Sequence, residues 1–422
     1  MTMGFWIRAG WFRHADIGFD GVEHMTLYRP LTDDEDELFR SYTRYAFRPQ
    51  LSPDQADESP TAPRTVGERR GLFIEDDARP RAVCAHFWFE SCVRGVQLST
   101  PGLSAVATPP EYRRQGYARE LFVHTLEEYR ERGDHLSILW PFKFSFYRDL
   151  GWAEAYRYAH HEVEPAALRT VGGDTTGSFH RIDPDDIDLL DPIYRAFTQS
   201  YDLAIHRDET WWRKRIAVSW WGEHYIYVWR DDDGVDRGYL VFRYEGDHRD
   251  RELIVYDFAA SDATAYRQLC RFLADHDSQT DRVKLFESID TPLLDHLRSR
   301  AGVETSVNNG AMVRLVDAKR TLEAIEYPQE ASASVVLQLD DDLVDWHEEP
   351  IRLDVSDGSA SVEQISADPE VILDIGTLSA MVVGARPVSR YVDAGEIEGE
   401  PAAVAALDAA FPPRSVWCLD WF

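Results

Sequence analysis

The stretch VATPPEYRRQGYARELF, residues 106–122, decides the reading of this chain. It leaves an apolar strand predicted over Leu103–Thr108 and enters a helix predicted from Tyr117 to Arg132, closed by Gly133 as a left-handed C-cap. A helix start leaves backbone N–H groups without intrahelical partners, and its dipole favours anions. Gly116 lets the backbone approach a ligand closely, and Arg113 and Arg114 can add charge-assisted bonds to phosphate oxygens. The run from Arg113 to Ala118 therefore reads as a pyrophosphate cradle. Taken alone, the hexapeptide also fits an exposed turn with surface arginines.

Working outward, strands are predicted at Gly71–Glu75, Arg81–Glu90 and Val93–Leu98 before the cradle, and at His135–Trp140 and Ala155–Val163 after it. Thr32 and Glu35 form a T-x-x-E capping box at a helix start, and residues 49–63, rich in Pro, Ser and Asp, read as a loop. Residues 1–24 show no clean period and precede Met25, so they read as a dispensable N-terminal extension. Beyond the Gly/Thr-rich run 171–178 a similar order returns. Helical patterns lie near 184–199 and 207–218, strands at 223–230, 237–244 and 251–260, then a helix at 262–276 and a strand at 282–288. Such recurrence suggests a duplication. From about 319 alternating strands and a helix near Ala402–Phe411 make a separate α+β unit.

Composition bounds the function. The chain has 422 residues, 44% apolar and 12% aromatic, enough for two or three domains at about 150 residues each. Asp and Glu number 75 against 45 Lys and Arg, a formal charge of −30. That charge argues against nucleic acid or an anionic membrane as partner and favours cationic ones. Lysine occurs only at Lys143, Lys214, Lys284 and Lys319; an acidic, lysine-poor chain reads as a halophile's. The cysteines, Cys84, Cys92, Cys270 and Cys418, form no CxxC, and the histidines lack ligand spacing, so neither a metal site nor a disulfide framework is expected. No apolar run suits a membrane helix, and the N-terminal arginines and aspartates do not suit a signal peptide. A cytoplasmic protein is expected.

The R-x-x-G-x-A run, in this element order, resembles the GNAT N-acetyltransferase signature. The chain further resembles the Eis (enhanced intracellular survival) family over nearly its whole length. The resemblance rests on VATPPEYRRQGYARELF, FYRDLGW (146–152), VYDFAASDATAYRQLCRFLADHD (255–277), NNGAMVRLVDAKRTLEA (308–324), LDIGTLSAMVVGA (373–385) and the terminal WCLDWF (417–422). It implies an α+β fold: two tandem GNAT-type domains, residues 25–163 and 164–318, then a sterol-carrier-protein-2-like domain over 319–422. It implies acetyl-CoA as co-substrate, with Val106, Ala107 and Thr108 along the pantetheine. Arg113, Arg114, Gln115, Gly116, Tyr117, Ala118 and Arg119 would hold the pyrophosphate, and Phe142 and Lys143 a later contact. Gln115 stands where the family usually carries arginine, and FSFYRDLGW lacks glycines usual in that loop.

The same resemblance makes Tyr147 the acid for the departing thiolate and the terminal carboxylate of Phe422 the acceptor of the amine proton. By itself Tyr147 also suits a core. Three aromatic rings in WCLDWF, worth about 2 kcal/mol each when buried, can dock the chain end. In the second repeat Asp262 begins the corresponding helix, with neither glycine nor arginine pair, and would repel pyrophosphate; that repeat is expected not to bind CoA. The implied function is N-acetylation of primary amines, whether polyamines, aminoglycoside-like compounds or lysine side chains of peptides, by direct transfer in a ternary complex. The family forms hexamers, which is carried over as an expectation. The alternative is a non-catalytic carrier holding an apolar ligand in the C-terminal unit.

Overall fold

A computed structural model describes residues 12–17, 23–50, 66–74, 77–171, 174–218, 224–247, 250–290 and 293–422. In chain order the first part supplies β1 (Phe12–Ile17), β2 (Glu23–Pro30), α1 (Asp36–Phe47), β3 (Glu68–Ile74), β4 (Ala82–Phe87), β5 (Glu90–Val93), β6 (Val96–Ser99), β7 (Gly102–Ala107), α2 (Tyr117–Arg132), β8 (Leu136–Leu139), α3 (Phe144–Arg148), β9 (Ala153–Glu154) and β10 (Arg157–Val163). The middle part supplies α4 (Pro165–Leu168), β11 (Ser178–Arg181), α5 (Asp191–Thr198), α6 (Glu209–Trp211), β12 (Tyr225–Arg230), β13 (Asp236–Glu245), β14 (Glu252–Ala260), α7 (Ala263–Ala274), β15 (Arg282–Ser288), α8 (Leu293–His296), β16 (Val303–Asn309) and β17 (Met312–Leu315). The last part holds α9 (Ala318–Ala324), β18 (Ala333–Asp340), β19 (Ile351–Ser356), β20 (Ser359–Gln364), β21 (Val371–Asp374), α10 (Ile375–Val382), α11 (Val388–Asp393), β22 (Ile397–Gly399) and α12 (Pro401–Ala410).

These strands form three main sheets. The first runs β1-β2-β3-β4-β7-β8-β17-β9, the second β11-β12-β13-β14-β15-β10-β16, the third β20-β19-β18-β21-β22. In the first two sheets an antiparallel meander leads into one parallel pair, β7 with β8 and β14 with β15. Each parallel pair is flanked by a strand from the other repeat: β17 pairs with β8, and β10 pairs with β15. The boundaries expected at 163 and 318 thus cut the chain but not the sheets. Pairing between strands so far apart in sequence leaves no local trace.

Two expectations about the N-terminal region meet the structure differently. Glu35 closes the capping box by accepting the Thr32 backbone N–H at 2.8 Å. The segment 1–24, expected as an appendage, instead contributes β1, paired with β2 from Phe12↔Tyr28 to Ile17↔Glu23. The physical reason is the hydrogen-bonding edge that β2 offers. Residues 1–11 and 18–22, and most of the loop expected at 49–63, lie outside the described residues.

The third sheet docks on the first through α10, all eight of whose residues are buried. A buried ion pair fixes this contact: Arg314 on β17 donates to both Asp341 oxygens at 2.7 and 2.8 Å and to the Leu150 carbonyl at 2.9 Å. Among the described residues no helix is long and apolar enough to cross a membrane, and no group of three His, Cys, Asp or Glu could hold a metal ion.

Candidate active site

The parallel neighbours β7 and β8 pair only at Gly102↔Ile138 and then separate. On its other edge β7 carries a bulge against β4, with Ala105 at φ +52°. A non-glycine residue in the left-handed region bends the strand, and such strain collects at functional sites. Beyond Gly102, Val106 and Ala107 of β7 and Thr108 just after it therefore lie along an edge without ladder partners on β8, able to bond an extended ligand chain.

This edge leads to the start of α2. Gly116, at φ +90°, precedes the first turn with no side-chain cap, and a Cβ placed there would meet nothing within 4 Å. Arg114 shares the left-handed conformation at φ +59°. Side chains brace the turn from outside: Arg113 Nε donates to the Thr108 carbonyl at 3.0 Å and Gln115 Nε2 to the Glu111 carbonyl at 2.9 Å. The Tyr117 ring meets Tyr112 edge-on, and Ala118 packs on the α2-side core. The structure thus gathers Val106 to Ala118 around one open helix start. Arg119 differs: its guanidinium donates to the Asp342 carbonyl of the C-terminal domain.

Tyr147 lies in α3, 5% exposed, with its ring against Phe122 of α2 and against Phe142 and Phe146. Burial pushes its phenol well above the ordinary value, so the hydroxyl stays protonated and suited to donate. Phe142 is 64% exposed and Lys143 is exposed, both next to this ring cluster. Tyr147, Phe122, Leu139 and Met312 belong to the core on the α2 face of the first sheet.

The chain end sits on the opposite face. The Phe422 ring packs against Phe87 and Phe89, with centroids 5.6 and 5.1 Å away. A Cβ on Gly102 would lie 2.7 Å from that ring, so glycine is required where β7 last touches β8. Trp421 stacks on Trp140 at 3.9 Å, Trp140 Nε1 donates to the Asp420 carbonyl, and Arg215 donates to the Trp421 carbonyl at 2.6 Å. The two catalytic candidates thus lie on opposite faces of the first sheet.

What fixes the end was not anticipated from sequence. The Asp420 carboxylate is buried and accepts from Arg207 Nε at 2.8 Å, Trp211 Nε1 at 2.6 Å and Tyr194 Oη at 3.2 Å. Arg207 also bonds both oxygens of Asp257, at 2.8 and 3.2 Å. Burial raises the Asp420 carboxyl, while Arg207 pulls the other way. The available signal was an aspartate inside an aromatic hexapeptide: once buried, it must bring a cation with it. The two carboxylates come from distant parts of the chain, Asp257 from β14 and Asp420 from the terminus.

The second repeat has the same parallel pair but a closed helix start. Asp262 Oδ1 accepts from the Thr264 and Ala265 N–H groups at 2.8 and 2.9 Å, occupying the donors that remain open at α2. No glycine precedes α7, and Asp262 takes an extended conformation.

Comparisons with known proteins agree with this geometry. Residues 27–155 and 203–315 match acetyltransferase (GNAT) domain families, and residues 318–419 match a sterol carrier protein domain. An uncharacterized N-acetyltransferase of Streptomyces avermitilis is 26% identical over 84% of this chain and 88% of its own. The N-acetyltransferase Eis of Mycobacterium bovis is 25% identical over 92% of this chain and 96% of its own. The crystal structure of Eis1 from Mycobacterium abscessus superposes with a TM-score of 0.75 at 22% identity, covering 94% of this chain and all of that one. With two acetyltransferase (GNAT) domains in tandem and a sterol carrier protein domain behind them, the chain is an N-acetyltransferase, similar along nearly its full length to the Eis proteins.

Proposed function

We propose that this enzyme moves the acetyl group of acetyl-CoA directly to a primary amine of a small cationic molecule or a lysine-containing peptide. The observation that carries the reading is the two-sided gap between β7 and β8, with an open helix start on one side and a docked terminus on the other. Acetyl-CoA enters along Val106, Ala107 and Thr108. Its pyrophosphate meets the α2 start, with Arg113, Arg114 and Gly116, and Phe142 and Lys143 flank its outer part. The amine comes from the Phe422 side.

The amine attacks the thioester carbonyl, the new C–N bond forms, and the C–S bond breaks. Backbone N–H groups near Thr108 stabilise the oxyanion. Tyr147 donates a hydrogen bond to the developing thiolate. Even unperturbed, a phenol near 10 and a thiol near 8.5 make full proton transfer uphill by roughly 2 kcal/mol, and burial of Tyr147 adds to that, so donation rather than ionisation is its role. The Phe422 carboxylate orients the ammonium and takes its proton through water. Burial pushes the thiol of Cys84 up to about 12 and also raises Cys92, Cys270 and Cys418, which speaks against an acetyl-cysteine intermediate. The net charge of −30 suits polyamines, aminoglycosides and basic peptides alike.

The carrier alternative needs an apolar chamber in the C-terminal domain. The burial of α10 between that domain and the first sheet argues instead for a packing role. Release of free thiol from acetyl-CoA, followed across a panel of amines in low and high salt, tests the reading. The protein carrying a Phe422 amide, made by ligation, should bind acetyl-CoA normally yet turn over on the order of 100-fold more slowly. Full activity of the amide would remove the carboxylate from the mechanism, and no thiol release with any amine would favour the carrier.

A further inference from the structure

In the second repeat β14 and β15 pair in parallel only from Glu252↔Arg282 to Ile254↔Lys284. Between their diverging ends lies a cavity of about 220 Å³, walled by Phe197, Tyr201, Phe258, Tyr266, Trp417 and Glu287. It occupies the position that the cofactor cleft holds in the first repeat, next to the start of α7. Its charge is of the opposite sign. Asp262 stands at its rim, with its carboxylate already holding the helix N–H groups. Glu287, 3% exposed, lies in its wall, where Tyr266 Oη donates to Oε1 at 2.9 Å. His161, whose Nε2 is 3.5 Å from Oε2, is kept neutral by burial, which lowers it to about 4. Among the described lining residues there is no arginine or lysine.

Five aromatic rings and two carboxylates around one space are the chemistry that recognises an organic cation. The ring faces carry negative potential toward an onium group, and desolvation strengthens that attraction. A phosphate would meet two carboxylates and a helix start with its donors taken. We propose that this cavity binds a small organic ammonium ion at a site separate from acetyl transfer. Trp417 lines the cavity and also packs on Tyr156, with centroids 5.3 Å apart, so an occupant touches the segment that carries Phe422. The inference does not depend on which amine accepts acetyl, because a quaternary ammonium has no N–H to acylate.

The test uses the full-length protein and tetramethylammonium as probe, with saturation transfer to its methyl protons read by NMR at fixed ionic strength. Binding at one site is expected, weaker by roughly tenfold in Tyr201→Leu, which removes a ring and keeps apolar bulk. Asp262→Asn, which retains a helix cap, should weaken the probe severalfold with an unchanged melting temperature. tert-Butyl alcohol, neutral and of similar size, should not compete. No transfer to the wild-type protein overturns the proposal, as do equal binding in both variants, equal competition by the alcohol, or displacement of the probe by acetyl-CoA.

Discussion

The starts of α2 and α7 are the same place in two copies of one fold, and they are built in opposite ways. At α2 the cap position is a left-handed glycine with open space before it. At α7 it is an aspartate whose carboxylate takes the N–H groups for itself. A helix start can stabilise its own fold with a side-chain cap or leave its donors for a ligand, and the two choices exclude one another at one position. In the reading proposed above, the first repeat leaves its donors to a ligand, whereas the second keeps the cap.

The largest effect is expected from capping α2. Gly116→Asp should weaken acetyl-CoA binding at least about 100-fold, since a carboxylate would then face the phosphates. Gly116→Asn is the control, because asparagine tolerates the left-handed region as aspartate does. Equal affinities by calorimetry in the two variants would return the cradle to an ordinary turn. Next in size is Tyr147→Phe, expected to keep acetyl-CoA affinity and lose about 100-fold in turnover. Wild-type turnover would mean that Tyr147 only packs.

The buried ion pair between the first and third sheets supplies a pH test. Burial alone would raise the Asp341 carboxyl, but the His347 hydrogen bond and Arg314 pull it down to about 2. A carboxyl lowered in the folded state stabilises above its unfolded value near 4, and that contribution fades as pH falls toward 2. It amounts to about 2 kcal/mol. Thermal unfolding followed from pH 5 to pH 2 should show that loss in the wild type and a flatter profile in Asp341→Asn, which starts out less stable. The smallest effect belongs to the other helix. Asp262→Ala should cost about 1 kcal/mol of stability in denaturant unfolding and confer no second acetyl-CoA site. A second equivalent of bound acetyl-CoA would show that the cap alone had closed the second cleft.

Local features were legible in the sequence. The α2 helix runs from Tyr117 to Arg132 and closes at Gly133, as its spacing and C-cap glycine predict. The capping box at Thr32 and Glu35 forms, and Asp262 begins its helix. Each depends on residues within one or two turns. The strand exchange and the Asp420–Arg207–Asp257 cluster were not legible, because they join residues far apart in the chain. Phe422 could be expected to dock from its aromatic neighbours, but the buried guanidinium that fixes its segment lies in the other repeat. The strand before Met25 was not legible for a related reason: strand pairing at a sheet edge needs backbone rather than a pattern of side chains.

The reciprocal exchange of β10 and β17 also governs how the molecule can be assembled. As the chain leaves the ribosome, β8 emerges long before β17, which must lie beside it. At roughly 5–20 residues per second the edge of β8 waits on the order of ten seconds or more for its neighbour. Over the same interval β10 has been made but has no second sheet to enter. Neither repeat can close its sheet before the other is synthesised, so the two fold as one late cooperative unit. A gene cut between them would yield two fragments, each lacking an inner strand and each carrying a strand that belongs to the other.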